Sequence, residues 1–203
     1  MKVIGLTGSI GTGKSTASKI LKKEFDIPII DADVISREAV QKGSIGILKI
    51  KDAFGSDFIL NNGELNRVKM GNLVFNDNKA RELLESIIHP VVMNRYDTLV
   101  RKYKEEGHSY VVYDCPLLIE EDLIGVVDVV MLIYSNKDIQ LQRVMLRDNL
   151  TEEEALKRIY SQMSIDEKKR YADIVIDNSG TVESLREKIG YVYDNKFSKK
   201  ILA

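Results

Sequence analysis

The chain has 203 residues, 44% of them hydrophobic and 30% charged, which suits one soluble domain with insertions and excludes a disordered chain. Thirty basic residues against thirty-one acidic ones give a formal charge of −1, so no basic excess marks a nucleic-acid footprint. Cys115 is the single cysteine, which rules out an internal disulfide and fits a reducing compartment; it reads as a small buried residue at a strand end.

The chain opens on Val3-Ile4-Gly5-Leu6-Thr7, a short apolar run suited to a strand buried on both faces. No signal-peptide pattern precedes it, and a cytoplasmic location is expected. Gly8-Ser9-Ile10-Gly11-Thr12-Gly13-Lys14-Ser15 follows, the G-x-x-x-x-G-K-S pattern of a phosphate-binding loop. Its glycines let main-chain N–H groups turn toward an anion, Lys14 brings a positive charge to the β- and γ-phosphates, and the Ser15 hydroxyl suits Mg²⁺. Ala17, Ile20, Leu21 and Phe25 fall on one face of the helix that should start here, with its positive end toward the same phosphates.

Ile27 to Ile30 predicts a second strand, ending at Asp31-Ala32-Asp33. Ligands of open α/β sheets lie beyond the carboxyl ends of the strands, so these carboxylates are candidates to orient or deprotonate a hydroxyl acceptor, or to reach a metal. Asp33 is preferred for chemistry, with Asp31 in support or capping the next helix, Val34 to Lys42.

Gly43 to Gly107 reads as a helical insertion. Leu65, Val68, Leu73 and Phe75 predict a short helix. Leu83 through Tyr103 predicts a longer one that Pro90 should kink or divide. Arg67, Lys69, Arg81, Arg95 and Arg101 read mostly as a solvated face, with one or two able to meet an anionic substrate.

Ser109 to Tyr113 returns to strand character and closes on Asp114, where a phosphate-loop protein holds Mg²⁺ directly or through water. Val126 to Tyr134 is the next buried strand. The longest apolar stretch, Leu123 to Tyr134, is too short to span a bilayer and predicts no membrane partner. Asn136-Lys137-Asp138 lacks the spacing by which a GTPase reads guanine. Gln140, Arg143 and Arg147 share one helix face, and two guanidiniums so placed can clamp phosphate oxygens during transfer. Thr151 and Glu154 form a capping box for a second helix expected to run to Lys168-Lys169-Arg170, a solvated charge run. The helix pair reads as a lid. Ala172 to Asn178 is the last strand, Val182, Leu185, Ile189 and Val192 form the buried stripe of a closing helix, and Asn195 to Ala203 should fray.

The fold class expected is therefore α/β: a P-loop NTPase-type parallel five-stranded sheet flanked by helices. A core of residues 1–43, 109–139 and 172–203 would carry a helical substrate-binding insertion, 44–108, and a helical lid, 140–171. From these residues alone the chain is a phosphotransferase whose acceptor is unnamed. A nucleoside or nucleoside-monophosphate kinase and a non-catalytic, nucleotide-switched binding module are the alternatives.

Nearly the whole chain resembles the dephospho-CoA kinase family. The resemblance rests on Gly5 through Ser15, Asp31-Ala32-Asp33 with Arg37, Leu83-Leu84-Glu85 with His89-Pro90, and Asp114-Cys115-Pro116-Leu117-Leu118. Gln140, Arg143, Arg147, Gln162 and Ala172-Asp173 through Asn178 complete it. Ser9 stands where the family commonly has glycine, Thr12 where it has serine and Ile119 where it has phenylalanine, and little effect is expected from any of them. The resemblance implies transfer of the γ-phosphoryl group of ATP to the ribose 3′-hydroxyl of dephospho-CoA, with Mg²⁺. It implies ATP binding by Gly11, Thr12, Gly13, Lys14, Ser15 and Thr16, and catalysis by Asp33, Lys14 and Arg143. Arg147 would be a second lid arginine on ATP. Asp33, Arg37 and His89 would face the acceptor, and Ser15, Asp33 and Asp114 the metal. A monomer or weak homo-oligomer is expected.

Overall fold

The computed structural model describes residues 1–197. In chain order the elements are β1 (Lys2–Thr7), α1 (Lys14–Glu24), β2 (Ile29–Asp31), α2 (Ala32–Ala39), α3 (Ile45–Phe54), α4 (Arg67–Asn76) and α5 (Asn78–Glu105). Then come β3 (Tyr110–Asp114), β4 (Val129–Tyr134), α6 (Lys137–Asp148), α7 (Glu152–Tyr160), α8 (Ile165–Lys168), β5 (Ile174–Asp177) and α9 (Val182–Val192). The five strands form one sheet in the order β2-β3-β1-β4-β5, and β1 pairs in parallel with both β3 and β4. The chain separates into two compact units: Met1–Ile30 with the chain from Tyr103 onward, and Asp31–Lys102.

In the first unit the sheet is buried because its strands are apolar on both faces. Ile4, Leu6, Val112, Met131, Ile133 and Ile176 pack with Ala17, Ile20 and Leu21 of α1 and with Leu185 and Ile189 of α9. Each such valine, leucine, isoleucine or methionine side chain contributes about 1.5–3 kcal/mol by leaving water. Phe197 is also buried in this cluster, and Tyr110 Oη donates to its carbonyl at 3.1 Å. The expectation of a frayed tail thus fails for Asn195 to Phe197, which lie in a short π-helical turn; its remainder, 198–203, falls outside the described residues.

The second unit has its own core of Val40, Ile47, Ile50, Leu65 and Met70. Ser44 caps α3, its hydroxyl accepting from Ile47 N at 3.2 Å, and Asn66 caps α4, its carboxamide oxygen accepting from Lys69 N at 3.0 Å. Two expectations change here. Pro90 does not divide α5, which is continuous over 28 residues; proline removes one main-chain donor, and the helix carries that loss. Val68 and Phe75 are 76% and 87% exposed, so α4 buries Met70 in place of the expected stripe.

The segment after α6 also departs from the expected single helix. The capping box is present: Thr151 Oγ1 accepts from Glu154 N, and Thr151 N donates to Glu154 Oε2 at 2.9 Å. But α7 stops at Tyr160 and the separate α8 follows, capped by Ser164. Lys168 is not solvated but fully buried, and Lys169 lies over the Tyr134 ring, 3.4 Å from its centroid.

Candidate active site

Between β1 and α1 the chain makes a loop that side chains from distant elements hold in place. Gly11 (φ 81°) and Gly13 (φ 91°) adopt the left-handed conformation that favours glycine. A Cβ on Gly13 would lie 2.1 Å from Asn178 Nδ2, and one on Gly11 2.7 Å from the Gln140 carbonyl, so neither position tolerates a side chain. Asn178, just past β5, donates from Nδ2 to Thr12 O at 2.8 Å. Gln140 of α6 donates from Nε2 to Ile10 O at 2.6 Å, and Ile10 N donates to Gln162 Oε1 at 2.8 Å. Thr12 Oγ1 donates to Ser9 O at 2.8 Å. Among the described residues, the main-chain N–H groups of Gly11, Gly13, Lys14 and Ser15 find no acceptor. A pre-shaped loop with four open donors at a helix N-terminus is a seat for an anion.

Two cations stand at this loop. Lys14 Nζ pairs with Asp114 Oδ1 at the end of β3, and both side chains are mostly buried, at 14% and 7% exposure. Arg143, on α6, donates from Nη2 to Gly180 O at 3.2 Å, and its Nη1 is buried without a hydrogen-bond partner. The same Nη1 lies 3.9 Å from where a Gly13 Cβ would be. A buried guanidinium nitrogen left bare beside an anion seat is consistent with an acceptor arriving with a ligand. Ser15 and Thr16 lie on the first turn of α1, with Ser15 exposed.

Arg147, one turn beyond Arg143, is engaged elsewhere. Its Nε and Nη2 donate to the two carboxylate oxygens of Asp148 at 2.8 and 2.9 Å, and Asp148 Oδ2 also accepts from Arg158 Nη1 at 2.7 Å. The hydrogen bond from Arg147, then the charges of both arginines, holds the Asp148 carboxyl below its ordinary range. The Arg147 guanidinium is raised in turn by its bond to Asp148.

The second unit carries the other sequence candidates. Asp31 caps α2, its Oδ1 accepting from Asp33 N at 2.9 Å and from Val34 N at 3.1 Å, which leaves the Asp33 carboxylate exposed on the first turn. Arg37 Nε donates to Asp33 O at 3.0 Å. Asp33, Ser36, Arg37 and Arg67 line one open cavity of about 380 Å³. His89 is exposed on α5 and lines neither this cavity nor a second one of about 360 Å³ bounded by Ile35, Glu38, Ala39, Gln41, Ser44, Val91 and Arg95.

Several residues here carried no site role in the sequence. Gln140, Gln162 and Asn178, which the family resemblance singles out without a role, clamp the loop from positions far along the chain. Arg67 stood in a set of cations read mostly as a solvated face, with one or two able to meet an anionic substrate. Asn136, in the stretch compared with a guanine-reading motif, simply caps α6, its side chain accepting from Ile139 N at 2.9 Å. No helix among the described residues is long and apolar enough to cross a membrane.

The dephospho-CoA kinase family matches residues 2–184. A dephospho-CoA kinase of Staphylococcus epidermidis is 46% identical over 198 residues, which cover 94% of this chain and 97% of the relative. One of Staphylococcus aureus is also 46% identical, with 94% and 95% covered. Among solved structures, a protein from Thermus thermophilus aligns with a TM-score of 0.79 at 30% identity, covering 95% of this chain and 96% of the other. Dephospho-CoA kinase from Campylobacter jejuni aligns with a TM-score of 0.71 at 27% identity, covering 95% of each chain. The phosphate loop alone would admit many kinases, but a match that runs through the sheet, the insertion and both arginines of α6 is far narrower: the chain belongs to the dephospho-CoA kinase family.

Proposed function

We propose that this chain transfers the γ-phosphoryl group of ATP to the ribose 3′-hydroxyl of dephospho-CoA, giving coenzyme A and ADP. Family membership supports the reaction, and one observation supports its site: the open N–H groups of Gly11, Gly13, Lys14 and Ser15 beside Lys14 and the bare Nη1 of Arg143. Phosphoryl transfer asks for in-line positioning and charge neutralisation more than for a strong base. In this reading the loop from Gly11 to Thr16 seats the triphosphate and Lys14 spans its β- and γ-oxygens. Arg143 meets the charge that builds on the transferred group.

The donor chemistry fits Mg²⁺. Ser15 and Asp114 offer hard oxygen ligands, and no cluster of three or more His, Cys, Asp or Glu among the described residues forms an all-protein cage, as befits an ion that keeps its waters and phosphates. Ser15 and Asp114 would hold it, with Asp33 directly or through water, and when bound it would neutralise β- and γ-phosphate charge.

Asp33 orients the 3′-hydroxyl and receives its proton. Its exposure on α2, freed by the Asp31 cap, supports that role. Arg37 and Arg67 share its cavity and suit the acceptor's diphosphate, while His89 would contact the acceptor elsewhere on α5. The α6–α7 hairpin acts as the lid that excludes water, the competing acceptor, and brings Arg147 to ATP once it leaves Asp148.

ADP release measured with dephospho-CoA, adenosine, AMP and no acceptor tests the reading. It expects turnover that depends on dephospho-CoA. Preference for adenosine or AMP would instead make the chain a nucleoside or nucleotide kinase, and slow acceptor-independent hydrolysis would favour a nucleotide switch.

A further inference from the structure

Lys168 is the most deeply buried charged side chain in the first unit, with no exposed surface. Its ammonium donates to Pro116 O at 2.8 Å and pairs with Glu120 Oε1 at 2.9 Å. Neither contact ends there. Pro116 O also accepts from Thr7 Oγ1 at 3.1 Å, and Glu120 Oε1 accepts from Met163 N at 3.3 Å. Met163 O accepts from Ser9 Oγ at 3.3 Å. Thr7 and Ser9 flank Gly8, so the polar contacts close into a ring. The ring joins the entry of the phosphate loop, the turn two residues beyond Asp114, and the segment that follows α7.

Stability alone is a poor reason for this arrangement. Taking an ammonium and a carboxylate out of water is costly, and a well-packed apolar pair of similar volume is commonly as stabilising or more so. What the charged pair adds is direction. A lysine with fixed acceptors ties two loops at set distances, which greasy packing does not.

We propose that Lys168 is a positioning residue for phosphoryl transfer. It locks the base of the α6–α7 hairpin to the turn after β3, so that Asp114, and through it Lys14, stays in register with the phosphate loop as the hairpin moves. Ser9 supplies one link of the ring through its hydroxyl. The inference rests on the reading above that the hairpin is a lid and that Lys14 and Asp114 serve the phosphates.

The test compares Lys168→Met, Lys168→Met with Glu120→Met, and Glu120→Gln. Lys168→Met should lower kcat about 30-fold with both KM values within about threefold, the pattern of lost transition-state positioning, and should lower Tm by stranding Glu120. The double variant removes the stranded charge and should regain Tm while kcat stays low. Glu120→Gln should lower Tm by leaving the buried Lys168 ammonium without its carboxylate, and should lower kcat about fivefold, since its amide makes a weaker bond than the carboxylate. Unchanged kcat in Lys168→Met assayed well below its Tm, or kcat recovered along with Tm in the double variant, would overturn the proposal; if Lys168→Met does not fold, the double variant and Glu120→Gln decide it in the same way.

A second measurement is independent of turnover. Hydrogen exchange with a non-hydrolysable ATP analogue should show residues 8–16 and 116–120 protected together in the wild type, and only 8–16 in the double variant. Equal protection of both segments in that variant refutes the lock. A wild type inactive on dephospho-CoA refutes the reaction instead, and the exchange result still judges Lys168.

Discussion

Arg147 is gripped by its own neighbour: its Nε and Nη2 bond both carboxylate oxygens of Asp148, at 2.8 and 2.9 Å, while Arg158 bonds the same carboxylate from α7. Asp148 therefore ties α6 to α7 and occupies the guanidinium that the proposed reaction needs at ATP. Asp148→Asn keeps the shape and drops the charge. It should lower the KM for ATP about threefold, roughly the worth of one exposed ion pair, and initial rates across ATP concentrations measure this. The pH dependence has a defined sign. The folded carboxyl lies below its ordinary 3.8, so its stabilisation is complete above that value and is lost as pH falls through the folded value. Thermal melts from pH 5 to pH 3 should fall more steeply for the wild type than for Asp148→Asn.

Lys14→Ala should reduce kcat by about 10²–10³, the scale of losing one electrostatic contact to the developing charge. It also strands the mostly buried Asp114, so Tm should drop as well. Lys14→Ala combined with Asp114→Asn should recover part of that Tm and none of the activity. A rate near wild type in Lys14→Ala would remove the loop from the chemistry.

Asn178→Ala tests the clamp on the loop from behind. The Thr12 carbonyl would lose its donor in a fully buried setting, at a cost of about 1–3 kcal/mol. The loop would also be free to open, so the KM for ATP should rise about tenfold, in proportion to the fraction of molecules whose loop is still formed. Denaturant melts with and without ATP separate the two effects.

Asp33 and Arg67 share a cavity but should fail differently. Asp33→Asn should cut kcat about 10²–10⁴-fold, the range of general acid–base assistance, with ATP affinity kept. If ATP affinity collapses instead, Asp33 is chiefly a metal or folding residue. Arg67→Ala should raise the KM for dephospho-CoA about tenfold, the worth of one charge-assisted contact, and leave the KM for ATP unchanged. Adenosine, which has no diphosphate, should not distinguish Arg67→Ala from the wild type.

Local rules are what made the fold legible. Val3 to Thr7 and Val126 to Tyr134 read as strands because buried strands are apolar on both faces, although the second begins only at Val129, and Thr151 with Glu154 marked the start of α7 without any tertiary knowledge. The phosphate loop was legible for the same reason, since its glycines, lysine and serine sit in one short stretch. What escaped was set by distance. Lys168 sits in a Lys-Lys-Arg run that looks solvated, and only the fold brings Pro116 and Glu120 around it. Val68 and Phe75 look like core residues until α4 is turned by Met70 and the Asn66 cap. Gln140, Gln162 and Asn178 are ordinary polar residues until Ile10 and Thr12 lie within reach of them.

The strand order bears on how the chain assembles. β2 and β3 are neighbours in the sheet, yet residues 32–109 lie between them along the chain. Closing so long a segment as a floppy coil would tax the search for that pairing and leave a sheet edge unpaired meanwhile. The intervening stretch carries its own apolar cluster, so it can collapse by itself and bring its two ends to hand before the edge strand docks. Substitutions that loosen the cluster, at Ile50 or Met70, should therefore slow refolding of the sheet.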